Sequence, residues 1–185
     1  MPHIVYDTAC TFNGWIADQR QSLQWLFDVP GADDPDPSIQ PPSRALIVEG
    51  SSTYEWLLRE SDLLAHPERW QEYFGDRRTF VFTSRRLPVP DGASVTFVSG
   101  PVVDLLPELR SAAGDEDIWI VGGGDLAGQF DDAGALDEIA LTVAPVALDG
   151  GAPMMPRRIE SSRLRLLEAR AVGPFARLRY AVTPA

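Results

Sequence analysis

Three short clusters of glycine, hydroxyl and arginine residues carry most of the chemistry this sequence offers. The first is Ile118-Trp119-Ile120-Val121-Gly122-Gly123-Gly124-Asp125-Leu126, an apolar run broken by a glycine triplet. Glycines between a strand and a helix let backbone N–H groups approach a phosphate with no side chain in between, and the helix N-terminus adds partial positive charge. The triplet is neither the G-x-G-x-x-G fingerprint nor a P-loop, which ends in Gly-Lys-Ser/Thr. It reads equally well as a tight turn with no ligand, and Asp125 at the helix start is able to occupy the same donors. The second cluster, Glu49-Gly50-Ser51-Ser52-Thr53-Tyr54-Glu55, sets hydroxyls and amides at another helix start. It suits a phosphate, or simply caps its own helix. The third, Thr83-Ser84-Arg85-Arg86, joins hydroxyls to guanidinium groups in a pattern that suits a terminal phosphate monoester or forms a solvated charged loop.

Asp7 stands in an otherwise apolar run. Strand alternation puts it on one face with Ala9, where burial raises a carboxyl pKa toward a range useful for proton transfer. A structurally paired or edge-exposed aspartate is the alternative. The same alternation sends Cys10 to the opposite face and into the core. Trp15 and Trp25 offer rings to stack on a flat heterocycle, or to pack the core. Cys10 is the lone cysteine, and with His3 and His66 it forms no metal-ligand cluster, so no metal site is expected.

Strands must precede these clusters for them to meet. Residues 3–11 are rich in β-formers and end at the turn Phe12-Asn13-Gly14. A short helix is expected at 22–27 with Ser22 as its cap, then an exposed loop at 30–43 crowded with Pro, Asp, Ser and Gly. Further strands read at 44–49, 79–83, 94–98, 117–121 and 136–144. Helices read at 52–58, 63–74, 102–113 and 125–130, with Pro107 inside the third. Two last strands, 163–169 and 175–182, turn through Gly173-Pro174. The alternation predicts one α/β domain over 1–185, a mainly parallel sheet flanked by helices on both faces and closed by a C-terminal antiparallel hairpin. Ligands bind such sheets at the carboxyl ends of the strands, where all three clusters fall.

Composition narrows the function classes. At 185 residues the chain holds one substantial core. With 16 Lys and Arg against 27 Asp and Glu the net charge is −11, which disfavours nucleic acid as a partner. No apolar run approaches the roughly 18 residues of a membrane span. The start, MPHIVYDTAC, lacks the layout of a signal peptide, so a cytoplasmic location with no membrane partner is expected.

Four stretches, in one order and spanning nearly the whole chain, form a pattern. They are Ala9-Cys10-Thr11-Phe12-Asn13-Gly14-Trp15-Ile16-Ala17; Gly50-Ser51-Ser52-Thr53-Tyr54-Glu55; Val121 with the glycines through Leu126; and Leu136-Asp137-Glu138-Ile139-Ala140-Leu141 followed by Pro145-Val146-Ala147-Leu148-Asp149-Gly150-Gly151. Together they resemble the dihydrofolate reductase superfamily, most of all the branch related to the reductase domain of the bifunctional riboflavin-biosynthesis deaminase-reductase. The resemblance implies a dihydrofolate-reductase-like fold and NADPH-dependent hydride transfer to a small flat substrate, pterin-like or riboflavin-precursor-like. It implies that Ala9, Gly14 and Ile16 hold the nicotinamide and that Gly50, Ser51, Ser52 and Thr53 contact phosphates. Thr83, Ser84 and Arg85 would meet the adenosine 2′-phosphate. Gly122, Gly123, Gly124, Asp125 and Leu126 would cover the pyrophosphate, with a cis bond at Gly122-Gly123. It also implies a homodimer.

Some positions depart from that pattern. Ser51 stands where the family usually has a phosphate-binding arginine, and Asn13 replaces the usual Asp. The short helix offers Ser22 and Gln24 where folate reductases keep the acid that binds and protonates the pterin. Dihydrofolate is therefore not the expected substrate. A non-catalytic nucleotide-binding or dimerisation module with the same fold is the competing class.

Overall fold

The computed structural model describes residues 1–32, 36–39 and 45–184. In chain order the elements are β1 (Ile4–Thr11), β2 (Trp15–Ala17), α1 (Gln24–Phe27), β3 (Ala45–Gly50), α2 (Ser51–Glu60), α3 (Glu68–Phe74), β4 (Thr79–Phe82), β5 (Val95–Val98), α4 (Val102–Ala113), β6 (Asp117–Gly122), α5 (Gly124–Asp132), β7 (Glu138–Ala144), β8 (Ala152–Pro153), β9 (Leu164–Val172) and β10 (Phe175–Val182). The apolar runs that read as strands pair into one sheet in the order β5-β4-β3-β6-β1-β7-β10-β9. It is parallel from β5 through β7; β10 and β9 join antiparallel at one edge. Helix-covered parallel strands are apolar on both faces, and β3 shows this, with Ala45, Leu46, Ile47 and Val48 all buried.

Alternation divides the core in two. Ile4, Tyr6, Cys10, Val48, Ile118 and Ile120 face α4 and α5, whose Leu106, Leu109, Leu126 and Phe130 cover them. Ile47 and Val81 face the other way, onto Tyr54 and Leu58 of α2 and Trp70 and Phe74 of α3. Cys10 thus occupies the face opposite Asp7, and burial pushes its thiol up to about 11.

Several boundaries differ from the sequence reading. The helix expected over 22–27 keeps only Gln24–Phe27, although the Ser22 hydroxyl still accepts the Gln24 N–H at 3.1 Å. The helix expected from residue 63 begins at Glu68, because Asp62 takes a positive φ of 48° and the chain makes tight turns before Pro67 restarts it. Strands β2 and β8 carry no periodicity to read, being three and two residues long. The expected loop at 30–43 contains a single 3-10 turn, Pro37–Ile39; residues 33–35 and 40–44, with the expected strand start at Arg44, lie outside the described residues. No cis peptide bond occurs among the described residues, which corrects the one expected at Gly122-Gly123. Gly123 instead adopts an extended conformation (φ −48°, ψ 151°) that leads directly into α5.

Candidate functional site

The carboxyl ends of the parallel strands open into a cleft of two chambers, of about 400 and 420 Å³, which share Ser52, Thr53, Gly123 and Asp125. The smaller receives Asp7 and Ala9 from β1, Ile16 from β2, and Trp119 and Val121 from β6. The larger receives Gly50 and Ser51 after β3, Thr83 and Ser84 after β4, and Ser99 and Gly100 after β5. All three sequence clusters therefore reach one continuous cleft.

Helices α2 and α5 begin at the larger chamber, and α4 begins just beyond the Ser99-Gly100 segment that lines it. The N-caps of α2, α4 and α5 are Gly50, Pro101 and Gly123, and none of them makes a side-chain capping hydrogen bond. The first-turn N–H groups of a helix have no intrahelical partner, so an uncapped start is an anion-ready set of donors. Asp125 does not occupy those of α5. Its carboxylate turns outward to Gln129 (2.9 Å) and Arg157 (3.0 Å), which hold its pKa below the usual carboxylate range. The glycine triplet divides its labour. A Cβ at Gly122 would press on the Thr53 hydroxyl, and one at Gly124 would collide with the backbone of Pro153 and Met154. A Cβ at Gly123 would meet nothing within 4 Å, because that position faces the open cleft. Backbone donors, hydroxyls and a glycine-lined approach fit the pyrophosphate of a dinucleotide. Among the described residues, no Lys, Arg or His lines either chamber.

The smaller chamber is walled by apolar and aromatic groups. Trp119 is fixed there by its indole N–H, which donates to the Asp7 carbonyl at 3.0 Å, and Arg77 lies 5.7 Å from its ring. Trp56 stacks on Phe27 with rings 6.4 Å apart and 8° from parallel. Leu23, Leu57, Pro153 and Pro156 complete the wall, and Gln21, Ser52 and Thr53 supply the polar edge. Such a slot suits a flat conjugated molecule.

Asp7 lies in this wall but is bound from behind. Arg177 reaches across β7 and donates to both its carboxylate oxygens, at 2.8 and 2.7 Å, and to Thr142 Oγ1 at 3.1 Å. Asp7 and Arg177 are both buried. Burial pushes the Asp7 carboxyl above its ordinary value, against the lowering effect of the Arg177 fork. This is the structurally paired arrangement.

Four residues singled out by the sequence stand elsewhere. Gly14 does not line the cleft; it takes a turn at φ 91°, and its carbonyl accepts the Met154 N–H at 2.9 Å, which ties β2 to β8. Trp15 pairs with Pro153 in that ribbon and is likewise not in the wall. Trp25 packs with Val29, Ala144 and Phe175 in a small separate cluster, because α1 docks on the end of β7 rather than over the cleft. Arg85 sits at the rim, where Glu55 engages it, and not in the chamber lining. The residues that sequence reasoning missed include Trp56, Trp119, Gln21 and Ser99. Alternation identifies Trp119, which shares a face with Val121 away from Ile118 and Ile120. Gln21 had no signal, since it enters the site through an isolated positive φ of 59°.

Beside the cleft, at the end of β3, Glu49 is only 1% exposed, and neither carboxylate oxygen has a hydrogen-bond partner among the described residues. Burial pushes its carboxyl up to about 8.

The YwjB protein of Bacillus subtilis (strain 168), described as uncharacterized, is 28% identical over 172 residues, covering 93% of each chain. Among solved structures, a putative riboflavin biosynthesis protein from Shewanella sp. PV-4 superposes with a TM-score of 0.76 at 24% identity, covering 99% of each chain. Dihydrofolate reductase from Enterococcus faecalis, solved with NADP(H), superposes with a TM-score of 0.59 at 16% identity, over 97% of this chain and 96% of that one. These likenesses agree with the sheet order and its antiparallel edge, which give the chain a dihydrofolate-reductase-like fold. The model of the RibD C-terminal domain matches residues 60–176, the stretch that holds β6, the glycine triplet and β7, and the chain belongs to that family.

Proposed function

We propose that this protein is an NADPH-dependent reductase that passes a hydride to a small flat substrate, pterin-like or riboflavin-precursor-like. The observation that carries the reading is the convergence of two uncapped helix starts, those of α2 and α5, on a chamber that opens into an aromatic slot. The solved Enterococcus faecalis relative holds NADP(H), which supports the same cofactor here. When bound, the nicotinamide supplies the hydride. Gly123 and the first turn of α5 would receive the pyrophosphate, and Ser51, Ser52 and Thr53 its flanking oxygens. Ala9 and Ile16 would bound the nicotinamide, while Trp56 and Trp119 hold the substrate flat against it.

Reduction of a C=N or C=O group leaves an atom that needs a proton. Asp7 is poorly set to give one, because both its oxygens accept from Arg177 and hydrogen bonding to the charged form favours that form. We assign Asp7 to fixing the slot, through Arg177 and the Trp119 contact, and the proton to water entering beside Gln21.

Thermal unfolding with and without NADPH tests the cofactor. At about a hundred times its Kd a ligand adds roughly 2.7 kcal/mol of stability. Gly123→Ala should melt as the parent does, because its Cβ meets nothing, yet lose most of the NADPH-induced shift. An equal shift in parent and variant, or no shift with any nicotinamide nucleotide at millimolar concentration, would remove the pyrophosphate reading.

A further inference from the structure

We propose that Glu55 sets the nucleotide preference of the cleft. It holds Arg85 in a carboxylate pair, so that the site accepts the dinucleotide lacking a 2′-phosphate nearly as well as the one bearing it. This rests on the reading of the cleft as a nicotinamide-nucleotide site.

Arg85 is the arginine anchored at the rim of the larger chamber. Its backbone N–H donates to the Thr83 hydroxyl at 3.0 Å, and Thr83 and Ser84 line the chamber. Its guanidinium, however, points its fork at α2. Nη1 donates to Glu55 Oε1 at 3.0 Å and Nη2 to Oε2 at 2.6 Å, a bidentate pair. A phosphate monoester would seek the same fork, since guanidinium groups recognise carboxylate and phosphate through the same two parallel hydrogen bonds. Glu55 therefore occupies the donors that a 2′-phosphate needs.

The surroundings do not compensate. The larger chamber is lined by the hydroxyl-bearing residues Ser51, Ser52, Thr53, Thr83, Ser84 and Ser99, with no cation among the described lining residues. Hydroxyls and helix starts suit a pyrophosphate, but a monoester adds about −1.5 to −2 charge at pH 7. If it took Arg85, it would leave Glu55 unpaired beside that charge, on a protein whose net charge is already −11. The pair does not bar the phosphate. Arg85 and Glu55 side chains are 55% and 38% exposed, so the pair opens readily, and its effect is a several-fold bias.

The test is a thermodynamic cycle read by binding. Dissociation constants for NADPH and NADH are measured by quenching of tryptophan fluorescence, for which Trp56 and Trp119 stand beside the cleft. The proteins are the parent, Glu55→Gln, Arg85→Gln and the double variant. The parent should bind the two nucleotides within about fivefold of each other, the scale of one exposed ion pair. Glu55→Gln should shift the ratio toward NADPH by about two- to fivefold, and the double variant should return it to the parent value. A ratio that Glu55→Gln moves by less than about twofold, or a parent that already prefers NADPH a hundredfold, overturns the role of Glu55 while the cofactor reading stands. A parent that binds neither nucleotide overturns that reading and this inference with it.

Discussion

Glu49 gives the sharpest physical prediction. A carboxyl with no partner for either oxygen, sealed beneath α2, is stable only while protonated, and its pKa near 8 against an ordinary 4.5 expresses that cost. The folded state therefore binds a proton that the unfolded state releases between pH 4.5 and 8. The sign follows: this contribution is intact below 4.5, declines as pH rises, and is fully lost above 8. At about 1.4 kcal/mol per pH unit, the loss is roughly 3 kcal/mol by pH 7 and roughly 5 kcal/mol above pH 8. Glu49→Gln removes the titration while keeping the shape, and Glu49→Met also removes the unpaired polar atoms.

Urea unfolding followed by circular dichroism from pH 4.5 to 9 isolates the effect, because the difference between parent and variant cancels the titration of every other group. That difference should grow steadily in favour of Glu49→Gln and level off above pH 8. In melting temperature the gain at neutral pH is roughly 6 to 12 °C, taking 2 to 4 °C per kcal/mol for a domain of this size. Glu49→Met should be at least as stable as Glu49→Gln throughout, since it leaves no orphaned amide. A difference that stays flat across the range would refute the reasoning, because it would mean that Glu49 is solvated or paired in solution.

Other perturbations test separate parts of the molecule. Asp7→Asn leaves the buried Arg177 guanidinium without a counter-charge and should cost about 3–5 kcal/mol, read as a lowered urea midpoint. If the variant also shifts the pH profile of turnover on a reducible substrate, Asp7 carries the proton after all. Gly124→Ala should destabilise by several kcal/mol, unlike Gly123→Ala, because its Cβ meets the fixed carbonyls of Pro153 and Met154; equal melting temperatures for the two would contradict the packing of β8 on α5. Cys10 should resist thiol reagents at pH 8 in the folded protein and react on unfolding, since it is 2% exposed with its thiol pushed up to about 11. The open edge strand β9, with Leu166 and Leu167 exposed, should pair two copies of the chain, giving twice the 20.3 kDa chain mass by light scattering. Charged substitutions at Leu166 and Leu167 should halve that mass.

Most of the scaffold was legible because it is local. The runs of β1, β3 and β6 are apolar on both faces, and Gly50 and Gly122 to Gly124 mark junctions where a strand passes at once into a helix. What was not legible depends on partners distant in sequence. Arg177 reads as one of several arginines in an ordinary hairpin strand. It reaches Asp7 only because β10 lies two strands from β1, with Thr142 of β7 between them. The ribbon of β2 and β8 has no periodicity at three and two residues, so Pro153 and the displacement of Trp15 from the slot could not be foreseen. Glu49 was hidden for the opposite reason: a glutamate at a strand end ordinarily faces water, and only the packing of α2 over it reveals the burial.

The same contrast bears on what the cleft can do. The donors that suit a dinucleotide are helix starts and hydroxyls, which a sequence displays in order at the strand ends. The ionisable groups in and beside the cleft are engaged or enclosed by the protein itself. Asp7 is held by Arg177, Glu49 is sealed under α2, and Arg85 is turned to Glu55. A slot whose walls are Trp56, Trp119, Leu57 and Pro153, with no free ionisable group among the described lining residues, would contribute shape to the proposed hydride transfer rather than an acid or base of its own.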